Sequence, residues 1–351
     1  MKRDETRKIQ IGDITLGGSN EVLIQSMCDI KTSHVDKVIK EINECSALGA
    51  KLMRVSIFDE DDLKAIKEIV KNISIPLICD IHYNYSYATQ AIINGAKKIR
   101  INPGNMPNLN KLIEVIEVAK KYNAAIRIGL NEGSLNDYSN LPISDKLVNK
   151  ALEYINFFEE NKFYNLVISL KTTDTIETIN SYRKISNLTT YPLHIGLTES
   201  GFDEIGIIRS VSALAPLLLE GIGNTIRISL TNDPKKEVLT AKRLLHDLNL
   251  YENYPTFISC PTCGRSEVKI KKLAKDVLEF LEKNNIKLKV AIMGCPVNGI
   301  GEAKNADIGI AGGKKEFILF KKGKIISKVS QDDAYQILTS EIMKLVRKTS
   351  N

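Results

Sequence analysis

The sequence predicts an α/β protein, a (β/α)₈ barrel (TIM barrel) followed by a smaller α+β domain. Apolar, strand-like runs alternate with amphipathic helical stretches from residue 22 to about residue 248. Eight β-then-α units in succession are typical of a closed parallel barrel, with a doubly wound open sheet as the structural rival. The pattern changes after residue 248, and we expect the barrel at residues 1–250 and the second domain at residues 256–351.

The predicted barrel strands are short runs rich in Val, Ile and Leu. They cover residues 22–28, 52–57, 77–81, 98–101, 125–130, 166–171, 193–197 and 225–230. Apolar residues at helical spacing follow them, for example within 35–48 and 109–121. The segment 8–16, which contains a Gly-Asp turn, is expected to form a hairpin that closes the bottom of the barrel.

The second domain combines helical and strand patterns without the regular βα period. We expect a helix that opens at 260–264 and runs to about 283, and then a strand at 288–293. A glycine-rich loop at 294–301 comes next, followed by a hairpin whose strands are 317–320 and 325–329. A final helix is expected from about 332 to 347.

The composition is that of a soluble globular protein. Hydrophobic residues make up 43% of the 351 residues and charged residues 26%. The N-terminal stretch is polar and no apolar run reaches the length of a membrane span, so we expect a cytoplasmic protein without a membrane segment. The net charge is +7, but the chain has no tryptophan and no basic stripe with interleaved aromatic residues. A nucleic-acid-binding protein with a zinc ribbon is therefore a poor hypothesis.

Polar side chains recur with one parity at the ends of the predicted strands. Residues of one parity point into a barrel, and those of the other parity pack under the helices. The polar set is Arg54, Ser56, Asp80, His82, Arg100, Asn102, Arg127, Asn131, Ser169, Lys171, Thr225, Arg227 and Ser229. Neighbours of the opposite parity, such as Val55 and Ile81, are apolar. Thr198 and Glu199 end the seventh strand.

Several arginines and a lysine directed into one barrel mouth require a counter-charge. The obvious internal carboxylates are Asp80 and Glu199, which are too few to balance them. An anion with several oxygens resolves the imbalance, because guanidinium groups bind phosphate in a bidentate manner. We therefore expect a phosphate-binding pocket at the C-terminal ends of the strands, where barrel enzymes place their chemistry.

Three of the six cysteines lie in turn-rich loops of the second domain. Cys260 and Cys263 form a Cys-x-x-Cys motif, and Cys295 is followed directly by proline. Such a motif occurs in zinc sites, redox thiols and iron–sulfur clusters. The third cysteine favours a catalytic [4Fe–4S] cluster with Glu302 as the plausible fourth ligand, whereas structural zinc and unliganded thiols remain alternatives. The scattered Cys28, Cys45 and Cys79 are expected to be small buried apolar residues.

Motifs along nearly the whole chain resemble one enzyme family. They lie at 24–27 (IQSM), 80–82 (DIH), 100–105 (RINPGN), 127–131 (RIGLN), 196–199 (GLTE), 259–265 (SCPTCGR) and 291–303. The chain is similar to the GcpE (IspG) family of 4-hydroxy-3-methylbut-2-enyl diphosphate synthases of the non-mevalonate isoprenoid pathway, in the two-domain bacterial form. The alternative is a non-redox barrel enzyme of the pterin-binding or aldolase type, with a structural zinc site in its C-terminal tail.

The resemblance implies a substrate, a cofactor and a set of site residues. The substrate would be 2-C-methyl-D-erythritol 2,4-cyclodiphosphate, reduced by two electrons from ferredoxin or flavodoxin through a [4Fe–4S] cluster. The implied cluster ligands are Cys260, Cys263, Cys295 and Glu302. The implied diphosphate ligands are Arg54, Arg100, Arg127, Lys171 and Ser229, assisted by His82, Asn102 and Asn131, and we add Asp80, Thr198 and Arg227 to this substrate-binding set. Glu199 would be the catalytic carboxyl group beside the reacting carbons.

The chain is expected to form a homodimer in which two chains share each active site. The last barrel helix, about 235–248, should descend ~21 Å to the bottom of the barrel. The linker 251–255 spans at most ~18 Å, which is too short for a comfortable return to the mouth. A head-to-tail dimer, in which each cluster domain caps the partner's barrel, solves this problem and matches what the resemblance implies.

Overall fold

The computed structural model describes residues 1–82, 84–102, 108–135, 137–295, 301 and 303–349. The chain divides into two compact units, Met1–Tyr251 and Glu252–Asn351, and each has its own hydrophobic core. In the described part of the chain, no helix is both long enough and apolar enough to span a membrane.

The first unit begins with an antiparallel hairpin and continues with eight parallel strands that alternate with helices in its described residues. The hairpin consists of β1 (Ile9–Ile11) and β2 (Ile14–Leu16). The parallel strands are β3 (Leu23–Met27), β4 (Leu52–Ile57), β5 (Leu77–Ile81), β6 (Lys98–Ile101), β7 (Ala125–Asn131), β8 (Leu166–Lys171), β9 (His194–Ile195) and β10 (Thr225–Ile226). The helices are α1 (Val35–Leu48), α2 (Glu60–Lys71), α3 (Tyr85–Ile93), α4 (Leu109–Tyr122), α5 (Ile143–Glu160), α6 (Thr175–Leu188), α7 (Asp203–Leu219) and α8 (Pro234–Asp247).

The parallel strands form a nearly closed barrel, which confirms the predicted fold. Their order is β8-β7-β6-β5-β4-β3-β10-β9, and a parallel bridge between Ile168 and Leu193 brings the two ends together. The strands β9 and β10 are shorter than predicted. Beyond these two residues, the neighbouring segments are still joined by single backbone hydrogen bonds. One example is the bond from Arg227 N–H to Ile195 O, at 3.1 Å.

Two apolar layers position the polar interior of the barrel. Outward-facing strand residues and the inner faces of the helices form the large core. A second cluster seals the bottom, where Ile11 and Leu16 of the hairpin pack against inward-facing Leu52, Ile78 and Val167. The hairpin therefore closes the N-terminal end of the barrel, as predicted, and leaves the C-terminal end open for polar side chains.

The second unit is a mixed sheet with two helices in its described residues. Its elements are β11 (Thr256–Ser259), α9 (Lys271–Lys283), β12 (Lys289–Met293), β13 (Ile308–Gly312), β14 (Phe317–Lys321), β15 (Lys324–Val329) and α10 (Ala334–Thr349). The strands β11, β12 and β13 are parallel, whereas β14 and β15 are antiparallel. Residues of α9 such as Leu281 and of α10 such as Leu338 bury the same core.

The predicted start of the first helix of the second domain, at 260–264, is wrong. The chain before it forms β11, whose backbone pairs with β12, and α9 begins only at Lys271. The prediction also missed β13, because Gly309 and Gly312 weaken its strand pattern. A Cβ on Gly309 would lie 2.5 Å from the Phe320 ring and 2.6 Å from the Ala291 carbonyl oxygen, so close packing requires glycine there.

Candidate active site

A polar cavity of about 170 Å³ opens at the C-terminal ends of the barrel strands. Its lining residues are Arg54, Asp80, His82, Arg100, Arg127, Gly129, Asn131, Ser169, Lys171, Thr198, Arg227 and Ser229. Every predicted substrate-binding residue except Asn102 is among them, and Asn102 is buried just beyond the end of β6. A larger groove of about 600 Å³ lies at the opposite end of the barrel, but the charged groups in its described lining are Asp13 and Lys97 alone. The convergent polar chemistry therefore belongs to the smaller cavity.

Asp80 is the centre of the charge arrangement in this cavity. Arg100 Nη1 donates to its Oδ1 at 3.2 Å, and Arg54 Nη1 and His82 Nε2 lie 3.6 and 3.5 Å from its Oδ2. Burial opposes ionisation of this carboxyl group, but Arg54 and Arg100 hold its pKa well below the usual range. Asp80 therefore remains a carboxylate that orients the basic side chains around it.

The lining contains five basic side chains and one carboxylate among its described residues, so most of the positive charge is uncompensated. Arg127 is 2% exposed, and its Nε and Nη1 atoms have no hydrogen-bond partner in the described structure. Burial and then the charge of Arg54 lower the pKa of Arg127, and burial and then Arg127 lower that of Lys171. Unpartnered buried donors of this kind are costly unless a ligand satisfies them.

Two glycines make room for these basic groups. A Cβ on Gly129 would lie 2.6 Å from Arg100 Nε, and a Cβ on Gly196 would lie 2.7 Å from Lys171 Nζ. A side chain at either position would therefore displace the basic group beside it. Both glycines lie within the sequence motifs 127–131 and 196–199, but only the structure shows that they create space for a guanidinium and an ammonium group.

Glu237 belongs to this charged site but is not among the residues predicted from the sequence. It reaches from α8 into the barrel, where its carboxylate accepts from Arg227 Nε and Nη2, both at 3.1 Å, and from Ser26 Oγ at 2.6 Å. Its position is four residues before Ala241 on the buried face of α8, and this spacing is a signal that could have identified it. Glu237, and not Glu199, is the second internal counter-charge, because the Glu199 side chain is exposed.

A deeper layer of polar residues lies below the cavity. Lys98 Nζ donates to Gln25 Oε1 at 3.1 Å, and His194 Nδ1 lies 2.8 Å from Thr225 Oγ1. All four side chains are at most 1% exposed, and burial lowers the pKa of Lys98 and of His194. Lys98 lies two residues before Arg100 on β6, so its side chain also points into the barrel.

The second unit brings its three loop cysteines to one edge of its sheet. Cys260 directly follows β11 and Cys295 follows β12 by two residues, and these strands are parallel neighbours. The Gly294 amide donates to Cys260 Sγ at 3.0 Å. Hydrogen bonds from the Arg265 backbone and side chain lower the pKa of the exposed Cys263 thiol. In contrast, Cys28, Cys45 and Cys79 are buried, as expected, and burial raises the pKa of each.

The chemistry of this edge fits an iron–sulfur cluster. In the described ranges no group of three or more His, Cys, Asp or Glu side chains lies close enough to hold a metal ion, and Glu302 is outside those ranges. However, Cys260 and Cys295 follow adjacent strand ends and Cys263 lies three residues beyond Cys260, so the three thiols match in number and type the donor set of a cluster with one non-cysteine ligand. The amide that donates to Cys260 Sγ is also the type of contact that stabilises cluster sulfurs.

Comparison with protein families decides between the hypotheses. A family model described as the GcpE TIM-barrel domain matches residues 6–242, and one described as the GcpE protein C-terminal domain matches residues 256–344. The chain belongs to the GcpE family. The resemblance predicted from the sequence motifs is thereby confirmed.

Relatives of this GcpE-family chain match it over nearly the full length. A protein of Malacoplasma penetrans is 45% identical over 347 residues, which cover 98% of this chain and 95% of the relative. A protein of Clostridium perfringens is 45% identical over 351 residues, with 99% of each chain covered. Both are named 4-hydroxy-3-methylbut-2-en-1-yl diphosphate synthase (flavodoxin).

Solved structures of pterin enzymes share only the barrel fold with this GcpE-family chain. The 7,8-dihydropteroate synthase of Vibrio fischeri has a TM-score of 0.52 and 12% identity, and covers 69% of this chain and 98% of its own. The dihydropteroate synthase of Yersinia pestis has a TM-score of 0.50, 13% identity and coverage of 69% and 98%. The pterin-binding alternative is therefore not favoured.

Glu199 occupies a distinctive position beside the GcpE-family cavity. It follows Thr198, which lines the cavity, and its backbone lies in the left-handed region with φ of 49°. A non-glycine residue in this region is uncommon and is often held there at a functional site. Arg209 Nη1 donates to the Ser200 carbonyl oxygen at 3.3 Å, which helps to hold this turn.

Proposed function

We propose that this GcpE-family protein opens the ring of 2-C-methyl-D-erythritol 2,4-cyclodiphosphate and dehydrates it to 4-hydroxy-3-methylbut-2-enyl diphosphate. The reaction consumes two electrons and two protons and releases one water. The observation that carries the proposal is the excess of buried cations around Asp80, because a cyclic diphosphate supplies the missing negative charge. The names of relatives that are 45% identical over almost the whole chain support it.

The barrel residues bind the substrate and stabilise the departing charge. Arg54, Arg100, Arg127, Lys171 and Ser229 bind the diphosphate, and His82, Asn102, Asn131, Thr198 and Arg227 assist. When the C–O bond at the tertiary carbon breaks, the electron pair stays on the phosphate oxygen. Preorganised cations neutralise this developing charge at no cost in reorganisation at that moment.

Glu199 is the proposed proton donor. The hydroxyl group on the neighbouring carbon must leave as water, which requires a proton at its oxygen. The turn at Thr198 and Glu199 borders the cavity, so a carboxyl group there can reach the substrate face that is open to the mouth. Loss of turnover with retained substrate binding is the signature expected of this role.

The second unit is the proposed cluster domain. Cys260, Cys263, Cys295 and Glu302 would hold a [4Fe–4S] cluster. Such a cluster supplies electrons one at a time when it is bound. The electrons come from flavodoxin, which the names of the relatives include, or from ferredoxin, and we expect the enzyme to work in the reducing environment of the cytoplasm.

We further propose that the active site is shared between two chains of a homodimer. The Tyr251 hydroxyl lies near Gly49, at the bottom of the barrel, so the chain leaves the barrel on the face opposite to the cavity. Large apolar side chains are exposed on the loops that surround the mouth, including Phe58 at 84% and Phe202 at 60%. In the proposed dimer, the partner's cluster domain would cover this apolar surface beside the mouth.

Anaerobic reconstitution tests the proposed reaction. Protein supplied with iron and sulfide should become brown, and with reduced flavodoxin it should convert the cyclodiphosphate into a product detectable by phosphorus NMR. Cys295→Ala should lower the iron content and abolish turnover, because it removes one thiolate from the cage. One zinc and no sulfide per chain would instead support the non-redox barrel hypothesis.

A further inference from the structure

The net charge of the chain resides entirely in the second unit. Residues 1–251 contain 31 basic and 31 acidic side chains, whereas residues 252–351 contain 18 basic and 11 acidic ones. The barrel unit is therefore neutral overall although its cavity is cationic, and the second unit carries the whole excess of +7. A small unit with this charge has a positive surface potential that attracts acidic partners.

Part of this charge lies at the sheet edge that carries the cysteines. We define the basic edge as Arg265, Lys269, Lys314 and Lys315, which are all exposed. None of the four is paired with a carboxylate in the described structure, although the Arg265 side chain hydrogen-bonds the Cys263 thiol. In contrast, Lys328 nearby is paired with Glu316. Three exposed carboxylates lie near them: Glu267 is between Arg265 and Lys269 in the chain, and Asp332 and Asp333 follow Gln331. The four basic groups therefore leave a small net positive charge at the basic edge.

The basic edge is an ordered surface close to the thiols. The Lys269 amide donates to Gln331 Oε1 at 3.3 Å, and Gln331 Nε2 donates to the Lys315 carbonyl oxygen at 3.2 Å. The Gly313 amide donates to the Glu316 carbonyl oxygen at 2.7 Å, which closes the turn that carries Lys314 and Lys315. These contacts fix the backbone of two separate segments at one place.

The thiols and the basic turn are linked through two glycines. A Cβ on Gly312 would collide with the Gly294 carbonyl oxygen, so these backbones are in direct contact. Gly294 also donates to Cys260 Sγ. Lys314 is two residues from Gly312 and is therefore at most ~7 Å of chain away from this contact.

A second group of lysines serves as an internal comparison. Lys322 and Lys324 flank the turn between β14 and β15 and are exposed and without ion pairs in the described residues. They lie at the opposite edge of the sheet, because β14 runs five residues away from the cysteine edge, or about 17 Å. If only net charge mattered, the two groups of lysines would be equivalent. Electron transfer slows steeply with distance, so only a carrier bound near the thiols should transfer electrons efficiently.

We infer that the basic edge is the docking surface for an acidic protein that carries single electrons. The inference rests on the proposed function, and it identifies the region of the chain that the carrier contacts. Lysine and arginine side chains at the rim accelerate encounter with an acidic surface, and their proximity to the thiols brings the carrier's redox group near its acceptor. Transient electron-transfer complexes bury small, polar interfaces, for which a few exposed lysines are sufficient.

Two matched double variants test the inference. K314E/K315E reverses two charges at the basic edge, and K322E/K324E reverses two at the opposite edge. Each pair includes one residue with a positive φ, Lys315 at 60° and Lys322 at 45°. The two double variants therefore carry the same risk of backbone strain. K269Q/K314Q is a milder variant for use if the charge reversal impairs folding, as judged by circular dichroism.

The measurements separate docking from chemistry. The affinity of an oxidised flavodoxin of acidic isoelectric point is measured by calorimetry at about 50 mM and about 300 mM salt. Turnover is measured with reduced flavodoxin and, separately, with dithionite-reduced methyl viologen. K314E/K315E should weaken flavodoxin binding at low salt by about tenfold or more and lower flavodoxin-driven turnover similarly, while viologen-driven turnover stays within about twofold of wild type.

The possible failures are distinguishable. Absence of turnover by the wild type with both reductants would overturn the proposed function. A wild type active with both, together with equal flavodoxin affinity for the two double variants, would overturn the docking inference alone. Loss of viologen-driven turnover in K314E/K315E would also overturn it, because the basic edge would then serve the substrate or the cluster.

Discussion

At the scale of single residues, the cavity holds charge that its described protein groups do not satisfy. Arg127 is buried without partners for two of its nitrogens, and Arg100 lacks one for Nε. Such groups lower stability in the free protein and increase affinity for an anionic ligand. The same side chains should therefore have opposite effects on folding and on binding.

Arg127→Met separates these two effects. Removing a buried guanidinium with two unpartnered nitrogens should raise the melting temperature, because no ion pair is lost. Substrate affinity should fall by roughly 2–4 kcal/mol, because a phosphate oxygen loses a charged hydrogen bond. Thermal unfolding and titration calorimetry measure the two quantities.

The control for Arg127→Met is Arg183→Met. Arg183 forms an exposed pair with Glu220, and such pairs contribute about 0–1 kcal/mol. Stability should change little in this variant and substrate affinity should not change. A clear drop in the melting temperature of Arg127→Met would show that the guanidinium has a stabilising partner in solution.

His194 makes stability depend on pH. Burial and then the charge of Lys171 lower the pKa of His194 well below 6.5. Below about pH 6.5, the unfolded chain therefore binds a proton at His194 that the folded chain does not bind. The free energy of unfolding should therefore be unaffected by His194 above about pH 6.5 and should fall by about 1.4 kcal/mol per unit below it. Urea unfolding at a series of pH values measures this slope.

The comparison variant for this slope is His194→Asn, which keeps a polar group near Thr225. Glu41 titrates in the same range with the opposite sign, because burial raises its pKa to about 7. Subtracting the variant's pH profile from that of the wild type cancels this contribution. A difference that stays constant from pH 7.5 to pH 5.5 would contradict a neutral, buried His194.

At the scale of elements, α8 contributes to both the core and the site. Its apolar residues pack on the strands, while Glu237 reaches Arg227, Ser26 and the Leu230 amide. The helix thus fixes the chain after β10 in the position where Ser229 lines the cavity. Packing and site geometry are coupled through one carboxylate.

Glu237→Ala should be strongly destabilising. It leaves the Arg227 guanidinium without its carboxylate, and removing one partner of a buried pair costs about 3–5 kcal/mol. Denaturant unfolding measures this change. Glu44→Ala is the control, because Glu44 pairs with Lys235 of the same helix at the surface and should contribute only about 0–1 kcal/mol. Equal costs for the two variants would refute a special role for Glu237.

At the scale of the whole molecule, the proposed chemistry needs both units, yet the chain leaves the barrel at its bottom. Tyr251 lies near Gly49, on the face opposite to the cavity. The linker that follows is short, and we therefore proposed that a partner's second unit caps each barrel. A dimer of this kind would have two equivalent shared sites.

Subunit mixing tests the shared site. Glu199→Ala and Cys295→Ala chains should each be inactive, because one lacks the proposed proton donor and the other a proposed cluster ligand. After exchange, each heterodimer should contain one site built from two intact halves, so activity should reappear. Verified heterodimers that remain inactive would show that each cluster domain serves its own barrel.

The sequence by itself determined the barrel, its polar interior and the family. Successive side chains of a strand point to opposite faces of the sheet. This alternation separates Arg54, Arg100 and Arg127 from their apolar neighbours, and the structure places all three in one cavity. The helix α1 and the strand β4 have the predicted bounds, because local hydrophobic periodicity specifies them. The sequence also predicted the strands β12, β14 and β15 of the second domain, but not β11 and β13.

Only the tertiary structure decided how the charges are balanced. Glu237 and Asp80 are the internal carboxylates, and Glu199 is exposed, because the distance between strand ends and helix faces depends on long-range packing. The same holds for β11 and β13, which gain their hydrogen bonds from partners distant in sequence. Local patterns specify which face a residue occupies, whereas its partner across the fold depends on contacts that no local pattern contains.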